Sequence, residues 1–146
     1  MLNFSVAANI AVHSLVYLAG IDRDVTVSAN QIAEKIEVSP SHLSKVLQEL
    51  ARQGLVHSTR GAKGGFSLAA DPKKVTLLEI IRAVDPPPKP DGCLLGEQIC
   101  HGTECKLKEL REKVSRLVEA DLSSTSLADF APQPKEGPDQ KCYESG

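Results

Sequence analysis

Apolar residues recur along this chain at three- and four-residue spacing, in stretches separated by short polar interruptions, a pattern that predicts a mainly helical protein. Phe4 to Ala19 reads as a first helix, with Ile10, Val12, Leu15, Val16 and Leu18 on a broad apolar face and Gly20 closing it. Ser28-Ala29-Asn30-Gln31 has a hydroxyl at the N-cap and a glutamine three residues on, the spacing of a capping box. It predicts a short helix that turns Ile32, Ala33 and Ile36 inward and ends at Val38. Ser39-Pro40 is a second start signal, with serine as N-cap and proline at the first helical position, where its missing N–H costs nothing. Leu43, Val46, Leu47 and Leu50 then repeat at i, i+3, i+4 and i+7, one inward stripe, before Gly54 stops the helix. Two short helices joined by a turn this brief are the sequence form of a helix-turn-helix.

The period changes after Gly54. Leu55 to Thr59 and Phe66 to Ala69 read as two strands, and the Arg60-Gly61-Ala62-Lys63-Gly64-Gly65 run between them as a cationic, glycine-rich hairpin tip, a wing. Thr76-Leu77-Leu78-Glu79 is a second capping box and opens a helix through Val84. Pro86-Pro87-Pro88 and Pro90 break it and form a stiff connector. The loop from Gly92 to Cys105 lacks periodicity. From Glu104 to Leu122, Leu107, Leu110, Val114 and Leu117 form a narrow seam among charges, the signature of a helix that faces a partner helix. Beyond Phe130 proline, glycine and charge predict disorder. The expected division is a winged helix-turn-helix DNA-binding domain over 1–85, a connector and cysteine loop over 86–103, a dimerisation helix over 104–122, and a largely disordered C-terminal extension over 123–146.

Charge sharpens this picture through its distribution rather than its sum. The 146 residues carry a formal net charge of −2, but Thr26 to Thr76 holds seven Lys/Arg against four Asp/Glu, and Asp85 to Gly146 eight against twelve. A basic middle before an acidic tail suits a polyanion-binding face. The second helix of the pair carries Ser41, His42, Ser44, Lys45 and Gln48 opposite its apolar stripe, with Ser39 at its cap, all able to donate to phosphates or base edges. The bland alternative for each is a solvated helix face. The wing weighs against it, because glycines allow close backbone approach and the Arg60 guanidinium suits the negative potential of a minor groove. Arg60, Gly61 and Lys63 therefore join the candidate DNA contacts. No apolar run reaches the length of a membrane span and no basic segment precedes the first helix as in a signal peptide, so a cytoplasmic protein without membrane contact is expected. No nucleophile–base pair, phosphate loop or carboxylate dyad points to an enzyme.

The run from Val38-Ser39-Pro40-Ser41-His42-Leu43 through Gly54-Leu55-Val56 to Arg60-Gly61-Ala62-Lys63-Gly64-Gly65-Phe66 resembles the iron–sulfur-cluster regulator family (IscR/NsrR/CymR-like, the Rrf family) of winged helix-turn-helix regulators. Leu77 to Asp85 resembles the segment that such proteins carry after the wing. The resemblance extends over most of Phe4 to Phe130. It implies a homodimer that binds an imperfect palindrome of double-stranded DNA, with Ser41 and Ser44 as recognition-helix contacts and Arg60 as the minor-groove arginine of the wing.

Cys93, Cys100 and Cys105 lie within thirteen residues, and Cys142 stands apart in the tail. Thiolates are the usual ligands of iron–sulfur clusters, and cluster-bearing members of the family have three cysteines here, more evenly spaced, so that Cys100 is displaced by one position. The resemblance implies a [2Fe-2S] or [4Fe-4S] cluster on these three. For the fourth ligand the family uses a histidine after the third cysteine or an acid on the partner's first helix. Lys108 and Asn9 occupy those places in this chain, so the candidates are His13 or His101, preferred over Cys142. Two other readings stay open: a regulator of the same fold whose thiols bind zinc or switch by oxidation, and a carrier that transfers electrons or delivers a cluster. A carrier needs neither the basic wing nor the polar helix face.

Overall fold

The computed structural model describes residues 4–61, 64–85 and 106–131. Their architecture is mainly α with a two-stranded wing. Helix α1 spans Val6–Ala19, α2 Ala29–Lys35, α3 Pro40–Arg52, α4 Leu77–Val84 and α5 Lys106–Ser124; strands β1 (Val56–Thr59) and β2 (Gly65–Leu68) lie between α3 and α4, and a single 3₁₀ turn, Leu127–Asp129, follows α5.

Local chemistry places the helix ends. Ser5 caps α1 by accepting from the Ala8 N–H at 3.0 Å, so Phe4 stands outside the helix. At α2 the Ser28 and Gln31 side chains satisfy each other's backbone, and Thr76 and Glu79 repeat the arrangement at α4, where the Thr76 N–H donates to the Glu79 carboxylate at 2.8 Å. Gly54, at φ 75°, ends α3: its N–H reaches the Ala51 carbonyl and that of Leu55 the Leu50 carbonyl. This Schellman closure needs a left-handed residue, which glycine supplies. The same closure joins α2 to α3, but the left-handed position there is Glu37, at φ 56°. A side chain makes that conformation costly.

The apolar stripes converge on one core. Leu43, Leu47 and Leu50 of α3 are fully buried, together with Leu15 of α1, Ile32 of α2 and Ile80 of α4. Helix α3 packs against α1, α2, α4 and β1. The wing strands pair antiparallel, Val56 opposite Leu68 and Thr59 opposite Gly65. A third extended residue, absent from the expectations above, joins them: Val27 pairs with Phe66 through hydrogen bonds of 2.9 and 2.8 Å.

The chain after α5 departs from the sequence reading, which placed residues 123–131 in the C-terminal extension. Helix α5 continues to Ser124, and the next residues fold back onto the domain. The Leu77 N–H donates to the Thr125 carbonyl, Leu127 N–H to Val75, and Ala128 N–H to Pro72, at 2.8–2.9 Å. Leu127 is fully buried in the core, against α1. Asp129 closes the hook by accepting from both the hydroxyl and the N–H of Ser126, which holds its carboxyl below the ordinary range. The sequence hid this element because one leucine in a polar segment has no periodicity.

Leu127→Ala should destabilise the domain by about 2–5 kcal/mol, the cost of removing a leucine from a filled core. A urea melt followed by far-UV circular dichroism checks this, with a lower midpoint and an unchanged slope as the expected result.

Candidate nucleic-acid interface

The face of α3 turned from the core divides the sequence-predicted residues into two groups. Ser41, His42, Lys45 and Gln48 stand exposed to solvent. Ser39 and Ser44 are committed to the helix itself. The Ser39 hydroxyl accepts from the His42 N–H at 3.4 Å, which fixes the helix start, and lies 3.4 Å from the Ser41 hydroxyl. Ser44 is half-buried and donates its hydroxyl to the Pro40 carbonyl at 2.8 Å, leaving oxygen lone pairs to accept from a partner. The N-terminal end of α3 is therefore a cluster of hydroxyls around a helix N-terminus, whose partial positive charge favours a phosphate.

Toward the other end of α3 the polar face includes Glu49, a charge that would repel a nucleic-acid backbone. Arg52 approaches its carboxylate at 2.8 Å and the Gln53 side-chain amide donates to it at 3.4 Å. Lys45, one turn earlier, is left as the cation of this face.

The wing places Arg60 and Gly61 in solvent at the hairpin tip. Gly61 takes φ 115°, a conformation that side chains disfavour, and its carbonyl accepts from the Gly64 N–H at 2.9 Å. A Cβ on Gly64 would collide with the Thr59 and Gly61 carbonyls. Both glycines are thus needed for the tight reversal that projects Arg60. Lys63, Cys93, Cys100, Cys105, Cys142 and His101 lie outside the described residues. His13 is exposed on α1; its Nδ1 must donate to the Asn9 carbonyl, 2.8 Å away, so in the neutral ring Nε2 carries the lone pair. Sequence reasoning missed Val27 and the closeness of Gly65 to it. The β-branched run Val25-Thr26-Val27 just before the Ser28 cap was the available signal.

A helix-turn-helix followed at once by a hairpin wing and a capped fourth helix defines the winged-helix class of transcription regulators. The model of the Rrf2 family, described as an iron-dependent transcriptional regulator, matches residues 4–133, and the chain belongs to that family. A protein of Aquifex aeolicus (strain VF5) named as an HTH-type transcriptional regulator is 32% identical over 130 residues, which cover 87% of this chain and 90% of that protein. Among solved structures, CymR (YrzC), the global cysteine regulator of B. subtilis, is similar with a TM-score of 0.73 and 29% identity over 90% of this chain and 97% of that one. IscR of T. potens is similar with a TM-score of 0.69 and 30% identity, covering 88% of this chain and 85% of its own. Among the described residues no helix is long and apolar enough to cross a membrane.

The exposed position of Lys45 beside a paired Glu49 generates a prediction. Lys45→Ala should weaken binding to specific and random duplexes alike, and the plot of log affinity against log salt should become shallower by about one. Fluorescence anisotropy at several salt concentrations measures both.

Proposed function

We propose that this protein is a homodimeric regulator that binds an imperfect palindrome in double-stranded DNA and adjusts its affinity through an iron–sulfur cluster. The observation that carries the DNA reading is the pairing of two features in one short domain: the polar face of α3 and the cationic glycine tip with Arg60. In this reading Ser41, His42, Lys45 and Gln48 meet the major groove, with Ser44 accepting there, while Ser39 holds the helix start. Arg60, Gly61 and Lys63 meet the adjacent minor groove.

The dimer reading is supported by α5. Leu107, Leu110, Val114 and Leu117 are 47%, 58%, 42% and 66% exposed, an apolar line too regular to be left in water. A second copy of the helix covers it. Arg82 of α4 and Glu119 of α5 pair at 3.0 Å and brace the helix on the domain.

For the cluster, Cys93, Cys100 and Cys105 supply thiolates in the segment of sequence that precedes α5. The donor set suits iron, which takes thiolate and imidazole ligands. His13 fits the fourth position chemically, because its Nδ1 donates to the Asn9 carbonyl and Nε2 is the ligating atom, the arrangement usual for metal-bound histidine. His101 is the other candidate. When bound, the cluster supplies a group sensitive to iron supply, oxidants or nitric oxide. The chain's own part is to link the cysteine loop to α5 and so to the spacing of two recognition helices, a coupling typically of about 1–3 kcal/mol.

Anaerobically purified protein should show visible charge-transfer bands and elute as a dimer. Iron and sulfide should be lost in Cys93→Ala, Cys100→Ala and Cys105→Ala and retained in Cys142→Ala. Zinc in place of iron, or reversible thiol oxidation without either metal, would instead favour a regulator of this fold that works without a cluster. A stable monomer at micromolar concentration would defeat the palindrome.

A further inference from the structure

Gly65 is buried in the stem of the wing, and the space in front of it is filled by backbone. A Cβ built on it would lie 2.6 Å from the Val27 carbonyl oxygen, 2.8 Å from the Val27 carbonyl carbon and 3.1 Å from the Val27 nitrogen, well inside ordinary van der Waals contact at 3.4 Å. Its φ is not in the left-handed region, so conformational freedom is not what requires glycine here. Close approach is.

That approach is what makes the Val27 contact possible. With Gly65 bare, Val27 and the neighbouring Phe66 exchange both of their backbone hydrogen bonds, at 2.9 and 2.8 Å, and the Val27 side chain enters the core. The residue after Val27 is Ser28, the N-cap of α2. On the wing side, Gly65 pairs with Thr59, and Thr59 is followed by Arg60. One backbone clasp therefore connects the hairpin that carries Arg60 to the first residue of the helix-turn-helix, with α2 packed on α3.

We propose that Gly65 is a positioning residue for DNA binding: by admitting Val27 it fixes the wing against α2 and so sets the reach of Arg60 relative to the reading face of α3. The proposal rests on the minor-groove role of Arg60 given above. An alanine at position 65 must push the Val27 backbone away, because all three neighbouring atoms are main chain and no side-chain rotation relieves the contact. Two hydrogen bonds then lengthen, and the hairpin keeps its own strand pair and the packing of its stem on α3 and α1 while its tie to the start of α2 is loosened.

The test is a double-mutant cycle with Arg60→Ala and Gly65→Ala. The probe is a labelled duplex that the wild-type protein has enriched from a random-sequence pool. In the wild-type background Arg60→Ala should weaken binding about tenfold. In the Gly65→Ala background the same change should cost less than about twofold, because the guanidinium no longer enters the groove at a fixed place. The loss caused by Lys45→Ala should persist in both, since α3 still docks. An equal cost of Arg60→Ala in both backgrounds overturns the proposal. No cost in the wild type overturns it through the reading on which it rests, and that single variant tells the two failures apart. Amide hydrogen exchange on the wild-type protein tests the clasp even if Gly65→Ala does not fold. Val27 and Phe66 should exchange together and as slowly as the amides of α2, and exchange as fast as that of Gly61 at the tip overturns the proposal.

Discussion

Everything in the described part of this protein depends on the burial of one stripe, Leu43, Val46, Leu47 and Leu50, along one side of α3. The proposed recognition helix needs its opposite face in solvent, and a helix of thirteen residues has little stability of its own in water. Packing on α1, α2, α4 and β1 supplies what propensity does not. It also fixes rotation about the helix axis, because the stripe leaves one way to turn. The polar residues point outward as the complement of a hydrophobic constraint.

Around that stripe the backbone is held by devices that leave few ends loose. Capping boxes open α2 and α4, Schellman closures end α2 and α3, and the clasp at Val27 ties in the wing. The exception is Glu37 in the left-handed position between the two helices of the motif. Glycine would be easier there by its backbone alone. The turn holds because Val38 N–H still reaches the Ala33 carbonyl at 3.0 Å and Val38 packs on the core.

Elements marked by local chemistry were legible in the sequence: both capping boxes, the Ser39-Pro40 start, the Gly54 stop and the hairpin tip all stand where their residue types require. The core stripe of α3 followed from spacing alone. What was not legible depends on contacts between distant segments. Val27 is a strand residue only because Phe66 lies across from it and Gly65 has no side chain. Leu127 is a core residue only because α5 delivers it to α1. Of the candidate DNA contacts, Ser39 takes the capping role that its start signal predicted, but sequence could name Ser44 only as a polar group on a helix, and the structure turns its hydroxyl to the Pro40 carbonyl. The cap and the i−4 bond compete locally for short hydroxyl side chains, and spacing does not say which partner wins.

The hook after α5 sets a rule for how this chain can change in length. At its far end the helix is pinned by three backbone hydrogen bonds and by Leu127, and by Arg82 through Glu119. A residue inserted between Leu110 and Leu117 would advance the remainder by about 1.5 Å and turn it by about 100°. The apolar seam would be wound out of line with itself, or Leu127 pulled from its seat. Insertions or deletions near whole turns, three or four residues at a time and best seven, satisfy both ends at once. Length variation in this helix should therefore come in steps, while the loops elsewhere vary one residue at a time.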